Sequence, residues 1–274
     1  MLGRLGFETA ALDAKLLTQH GLGLGALDLA TRENQDVDPA AAERVAALLQ
    51  RRLTGESVAR IIGEREFYGL AFNLNAATLE PRPDTELLVD LALGMIPAGG
   101  RLLDLGTGTG CIPIAMLANM DDISAVAVDL SALALEAAGF NAARHGVAGR
   151  LTLLTGSWFD PLAPQRFDII VSNPPYITSA VVETLAPEVK DFDPRLALDG
   201  GPDGLAPYRI LAREADAWLA EGGRILVEIG HDQGATVSGL FLEAGFEDVS
   251  VHRDLAGLDR VVVAHHVDDI VRLD

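Results

Sequence analysis

At 274 residues the chain exceeds the usual ~100 to 200 per domain, and with 49% apolar and 22% charged residues it carries material for a sizeable core. That excludes a single-core peptide and wholesale disorder. Twenty-one basic against forty acidic residues, a formal charge of −19, oppose a phosphate backbone or an anionic membrane surface, and no apolar run reaches the ~18 residues a span needs.

The segment from Met1 to Ala11 carries Arg4 and Glu8 and no apolar signal-peptide core, so a cytoplasmic protein is expected. A helix is predicted over Glu8 to His20, broken by Gly21, Gly23 and Gly25, and a second over Pro39 to Leu53, together forming a small bundle. From Glu66 to Asn75 the pattern turns extended around Gly69 and reads as a hairpin between two domains. Prolines 81 and 83 then precede a helix over Leu87 to Leu93. The expected organisation is a helical domain over 1–63, a hairpin linker over 64–80 and a larger domain over 81–274.

From Arg101 onward short apolar runs alternate with helical patterns, the signature of a parallel sheet covered by helices. Strands are predicted at Arg101 to Leu105, Ala125 to Val128, Leu151 to Leu154, Phe167 to Val171 and Arg224 to Ile229. Helices are predicted at Cys111 to Asn119, Ala132 to His145, Leu205 to Leu219 and Gly234 to Ala244. Two last extended runs, Glu247 to Val251 and Arg260 to Ala264, have no helix between them and imply an antiparallel hairpin. The lone cysteine, Cys111, is expected to be a buried small hydrophobe rather than a nucleophile, and the six histidines show no ligand spacing, so no metal is implied.

Three places carry chemistry. Asp104-Leu105-Gly106-Thr107-Gly108-Thr109-Gly110 leaves a buried strand through a glycine-rich turn into a helix, where backbone N–H groups can approach a ligand closely. Cys111 spoils a dinucleotide fingerprint, and no lysine follows Gly110 to make a phosphate loop. Asp129 ends the next strand, where its carboxylate can accept from two ribose hydroxyls or, more blandly, serve the helix start at Ser131. Ser172-Asn173-Pro174-Pro175-Tyr176 follows the fourth strand. Its prolines fix the backbone so that the Asn173 amide oxygen and the Pro174 carbonyl are set to grip the NH₂ of a planar amide or amino group, with Tyr176 stacked on it.

The glycine loop, Asp129 and the Asn-Pro-Pro-Tyr tetrad resemble the Rossmann-like class I methyltransferases that use S-adenosylmethionine and act on amide or exocyclic nitrogens. With Glu66-Phe67-Tyr68-Gly69, Pro81 to Glu86, Trp158-Phe159 and Glu228-Ile229-Gly230, residues 64–266 resemble the HemK/PrmC family. These are protein-(glutamine-N5) methyltransferases acting on peptide chain release factors. The resemblance implies an α/β fold with a mostly parallel seven-stranded sheet and a small N-terminal helical domain for substrate recognition. It implies that Gly106, Thr107, Gly108, Thr109 and Gly110 wrap the methionine part of S-adenosylmethionine, that Asp129 holds its ribose and that Trp158 lies by its adenine. Asn173 touches cofactor and substrate, and Asn173, Pro174, Pro175 and Tyr176 hold the glutamine of a Gly-Gly-Gln motif, with Asn173, Pro174 and Tyr176 carrying catalysis.

Ser157 and Glu80 depart from the family pattern. Arg82, Asp84 and Glu86 are read as serving either the cofactor entrance or the first helical turn; Glu228 is expected to be a satisfied core acid, and Asp104 is ambiguous. An adenine-N6 methyltransferase acting on nucleic acid is the alternative reading, since an exocyclic amino group fits the same tetrad, but the charge of −19 opposes it. A non-catalytic binding protein and a nicotinamide oxidoreductase are weaker rivals.

Overall fold

The computed structural model describes residues 2, 7, 9–32 and 34–266. It begins with helices α1 (Ala10–Leu22), α2 (Ala26–Thr31), α3 (Pro39–Leu53) and α4 (Val58–Ile62). α3 starts where the Asp38 side chain accepts from the Ala41 N–H at 3.2 Å, with Pro39 at its first position. α1 runs through Gly21 rather than stopping before it; the predicted start at Glu8 lies outside the described residues. A Cβ on Gly21 would sit 2.7 Å from Val45 of α3, so this glycine permits a close helix crossing. The stop comes at Gly23, left-handed at φ 65°, whose N–H and that of Leu24 return to His20 and Gln19.

The hairpin β1 (Glu64–Phe67) and β2 (Leu70–Asn73) turns at Tyr68 and Gly69, with φ of 53° and 74°. Two positive values fit the primed turns that match strand twist. The Tyr68 N–H donates to Glu86 at 2.9 Å and its hydroxyl to Asp90 at 2.6 Å, fastening the turn to α5 (Glu86–Met95).

The main sheet comprises β3 (Arg101–Leu105), β4 (Ser124–Asp129), β5 (Leu151–Thr155), β6 (Phe167–Ser172), β7 (Leu219–Glu228), β8 (Asp248–Arg253) and β9 (Asp259–His265) in the order β5-β4-β3-β6-β7-β9-β8. Strands β3 to β7 pair in parallel, and β9 inserts antiparallel between β7 and β8. Helices α6 (Cys111–Asn119) and α7 (Ala132–Arg144) connect the early strands; α8 (Ser179–Val182), α9 (Pro187–Lys190) and α10 (Ala206–Glu214) lie between β6 and β7, and α11 (Gly234–Glu243) follows β7.

Both faces of the sheet are covered, which is why its strands read as continuous apolar runs. Leu102, Ile169, Val171 and Leu226 pack on α5 and α6, while Leu103, Leu105, Ile170 and Val227 pack on α10 and α11. Two boundaries differ from expectation by five residues, the others by two at most. α10 ends at Glu214, not Leu219, and β7 begins at Leu219 rather than Arg224. Leu219 pairs with Phe167 before the register shifts, and Gly223 presses on the Phe167 carbonyl so closely that a Cβ would lie 3.0 Å from it. α8 and α9 carry no strong period and escape the sequence reading. No helix among the described residues is long and apolar enough to cross a membrane.

One buried side chain joins three elements near the glycine loop. Asn141 of α7, fully buried, accepts from the Asn73 N–H at 2.8 Å and donates to the Thr109 carbonyl at 2.9 Å and the Asn73 carbonyl at 3.2 Å. Replacing it by leucine strands these backbone groups, each costing about 1–3 kcal/mol when buried and unpaired. Asn141→Leu is therefore expected to lower the urea unfolding free energy by at least ~2 kcal/mol, whereas Asn119→Ala, at an exposed helix end, changes it by no more than ~0.5–1 kcal/mol.

Candidate active site

β3 and β6 are neighbours in the sheet, and from them the chain departs to opposite sides, toward β4 and toward β7. Open α/β sheets bind ligands at the carboxyl edge of such a switch point. The Ser172 hydroxyl, buried at the end of β6, donates to the Leu105 carbonyl at 2.7 Å and pins the two strand ends together. A cleft of ≈ 1090 Å³, open solvent at its mouth included, lies above them.

One wall is the glycine loop. Gly106 and Gly108 have φ of 80° and 56°, and a Cβ on either would meet nothing within 4 Å, so their backbones face open space. The loop is tied to β4, with the Gly106 and Thr107 N–H groups both donating to the Val128 carbonyl. Gly110 is different: it does not line the cleft, and a Cβ there would lie 2.9 Å from Ile114 and 3.1 Å from Ala138, so it is glycine for packing as well as for its φ of 78°.

Asp129 accepts from Gly108 N–H and Ser131 N–H, both at 2.8 Å. It braces the loop and the start of α7 together, while each oxygen keeps a free lone pair toward the cleft it lines. The helix cap itself is Ser131, accepting from Ala134 N–H. Trp158 lines the cleft with φ of 47°, a costly backbone conformation for a bulky residue and one concentrated at functional sites.

The opposite wall is the proline corner. Asn173 and Pro175 line the cleft; Pro174 is buried behind them, and Tyr176 is half-buried against the α10–α11 side of the core. Burial pushes the Tyr176 phenol up to about 12, so it stays neutral. The corner is braced from behind: a Cβ on Gly200 would lie 2.6 Å from the Pro175 carbonyl and one on Gly204 2.4 Å from that of Tyr176. Gln233 donates to the Tyr176 carbonyl at 3.1 Å and accepts from Gly230 N–H at 2.9 Å. Thr85, which accepts from Asn173 Nδ2 at 3.1 Å, lies within the Pro81 to Glu86 segment but carries no role of its own in the sequence reading, and Gly200, Gly204 and Gln233 are not singled out there. The only signal for them is the glycine run at 200–204 and the Gly-x-x-Gln spacing after Glu228-Ile229.

Of the flanking charges, Arg82 lines the cleft and pairs with Asp193 at 3.3 Å, which also holds Arg60 of α4 at 2.6 Å. Asp84 pairs with Arg260, and Glu86 serves the hairpin turn rather than the cleft. Glu80 accepts from Ser57 at 2.8 Å and pairs with Arg65, which accounts for an acid at that place. Ser157 lines the cleft beside Trp158. Cys111 lines it too, so it is only half-buried, but burial of its sulfur pushes the thiol up to about 12 and leaves it a poor nucleophile.

Among the described residues two buried carboxylates carry unpartnered oxygens. Glu228 is not the satisfied acid expected, since its Oε2 accepts no hydrogen bond. Neither oxygen of Asp104, fully buried beneath the glycine loop, has a well-formed bond; burial, and less so the Asp129 charge, push it up to about 7 against the pull of the nearby Thr107 hydroxyl. A glycine cradle, an acid with spare lone pairs, an unpartnered buried acid and an aromatic wall fit a ligand bearing an ammonium group, a ribose and a purine, as S-adenosylmethionine does.

A folded-state value raised above the unfolded one gives stability that is complete below pH ~4 and lost as pH rises through about 7. Asp104→Asn removes that loss, so relative to the native chain it should gain roughly 1–4 kcal/mol in unfolding free energy between pH 5 and pH 8 without ligand. Urea titrations at both pH values check this; a constant difference contradicts it.

Residues 1–63 match the family model for the PrmC N-terminal domain and residues 83–189 that for the methyltransferase small domain. The chain is 45% identical over 263 residues to the release factor glutamine methyltransferase of Agrobacterium fabrum, covering 94% of this chain and 91% of that protein. It is likewise 45% identical to the release factor glutamine methyltransferase of Cereibacter sphaeroides, with 96% and 94% covered. The fold is that of a methyltransferase from Pyrococcus furiosus at TM-score 0.55 and 16% identity, covering 80% of this chain and 98% of the other. With a glycine cradle and a braced Asn-Pro-Pro-Tyr corner facing one cleft, and identity of this level along nearly its whole length, the chain belongs to the release factor glutamine methyltransferase family.

Proposed function

We propose that this protein methylates the side-chain amide nitrogen (N5) of the glutamine in the Gly-Gly-Gln motif of peptide chain release factors, using S-adenosylmethionine, in the cytoplasm. The observation that carries the reading is the placement of Asn173, on a corner that cannot shift, across one cleft from the glycine loop. Bound S-adenosylmethionine supplies an electrophilic methyl group. Gly106, Thr107, Gly108 and Thr109 would hold its methionine part with Gly110 shaping the turn beneath, Asp129 would accept from the ribose, and Trp158 would lie by the adenine.

An amide nitrogen is a poor nucleophile because its lone pair is delocalised into the carbonyl, so the protein's task is orientation. The Asn173 oxygen and the Pro174 carbonyl each accept one N–H of the glutamine side chain, and Pro175 and Tyr176 keep the corner in shape. As nitrogen is alkylated it gains positive charge and its protons become stronger donors, so these acceptors hold the transition state more tightly than the ground state. No strong base is needed beforehand: the methyl group's bond to sulfur breaks as the N–C bond forms, and the alkylated amide, now strongly acidic, releases one N–H proton to water. Residues 1–63 serve substrate recognition, 64–80 link, and 81–274 carry the transfer; the ion pairs of Arg52 with Glu188 at 2.7 Å and Arg60 with Asp193 support the view that these parts act together. The net charge of −19 does not favour the nucleic-acid alternative.

The test uses labelled cofactor with purified release factors, native or with Gln→Ala in Gly-Gly-Gln, and mass spectrometry to locate the label. Label is expected on the native factor only; equal labelling of the altered factor contradicts the reading. Asn173→Ala is expected to lower transfer by at least ~10²-fold while cofactor affinity stays within a few-fold, measured by single-turnover kinetics and calorimetry.

A further inference from the structure

An asparagine has two nearly isosteric ends, and only its oxygen can receive the N–H of a substrate amide. If the Asn173 carboxamide flips, it presents NH₂ to NH₂, and the site is lost. Something must choose between the two orientations.

The Nδ2 of Asn173 donates to Thr85 Oγ1 at 3.1 Å, which commits that end and leaves Oδ1 for a ligand. A hydroxyl both donates and accepts, so Thr85 alone would tolerate either orientation. Beside the pair stands Glu228, last residue of β7 and 2% exposed: Ser172 of β6 is in register with Val227, so Glu228 follows next to Asn173, and its Oε2 is unpartnered. It does not line the cleft. An ionised carboxylate only accepts; it attracts the NH₂ end of Asn173 and repels the oxygen end. We infer that Glu228, with Thr85, is a positioning residue for the methyl transfer: its ionised carboxylate holds the Asn173 amide oxygen toward the substrate. The inference rests on the reading of Asn173 as the acceptor for a glutamine amide.

The pH consequence follows from the surroundings. Burial pushes Glu228 up to about 7, partly opposed by Thr85 and by the Arg260 charge and assisted by Asp84. Protonated, it becomes a donor and accepts the flipped amide as well as the correct one. The other groups facing it titrate elsewhere or stay charged: the Tyr176 phenol and the Cys111 thiol lie near 12, Tyr208 of α10 is pushed well above its usual value, and Arg260 of β9 is raised while paired to Asp84 and Asp254. Asp104 is the other carboxylate near 7, but it belongs to the glycine loop.

The experiment measures kcat, KM for the release factor and cofactor affinity from pH 5.5 to 8.5 at saturating cofactor, for the native protein and for Glu228→Gln, Thr85→Val and Thr85→Ser. The native kcat should rise with pH through an inflection near 7. E228Q should lose that inflection and lower kcat roughly tenfold at pH 8, with KM and cofactor affinity within about twofold. T85V should lower kcat several-fold and T85S should restore it, a pair that decides the matter even if E228Q fails to fold. An unchanged inflection and kcat in E228Q, or native kcat in T85V, overturns the inference while leaving the proposed function intact. Absence of transfer to release factor by the native protein overturns both.

Discussion

The site depends on the adjacency of β3 and β6. Their parallel register, Leu102 with Ile169 and Asp104 with Val171, brings both strands to the same edge, where the Ser172 hydroxyl bonds the Leu105 carbonyl. Past that bond the two chains must part. β3 leaves through glycines whose positive φ keeps backbone against the cleft; β6 leaves through prolines that cannot continue a ladder. One strand pair thus sets the glycine loop and the proline corner on one cleft, and neighbouring elements brace both. Gly200, Gly204 and Gln233 press on the corner from one side, and Asn141 and Asp129 anchor the loop from the other.

Such a site is costly to a protein without its ligands. Trp158 occupies left-handed backbone space, Asp104 and Glu228 are buried carboxylates with unpartnered oxygens, and the cleft walls leave apolar surface open. The core on both faces of the sheet offsets these terms, and the buried pair of Arg60 with Asp193 and the pair of Arg52 with the exposed Glu188 fasten the first helices to the segment after the corner. Losing one partner of the Arg60–Asp193 pair leaves a buried charge uncompensated, so that link sets geometry more than it adds stability.

Much of this was legible in the chain because it is local. Strand β3, helices α3 and α6, the glycine loop, Asp129 and the tetrad are each written within a few consecutive residues, where period, turn chemistry and fixed backbone speak for themselves. What was not legible comes from segments far apart. Gly21 reads as a helix breaker until Val45 is seen beside it, and Gly110 reads as cradle until Ile114 and Ala138 are found beneath it. Thr85, Asn141, Asp193 and Gln233 are ordinary polar residues whose roles depend on partners as far as 88, 68, 133 and 57 positions away. Glu228 is visible as an acid after a buried strand, but not that its carboxylate is left incompletely bonded beside Asn173.

The central claim is a geometry, and a crystal structure of the protein with S-adenosylhomocysteine and a Gly-Gly-Gln peptide tests it most directly. The glutamine nitrogen is expected to donate to both Asn173 Oδ1 and the Pro174 carbonyl while facing the sulfur across the gap a methyl group would bridge. A peptide bound elsewhere, or a corner filled by the protein's own side chains when the cofactor product is in place, would contradict the account.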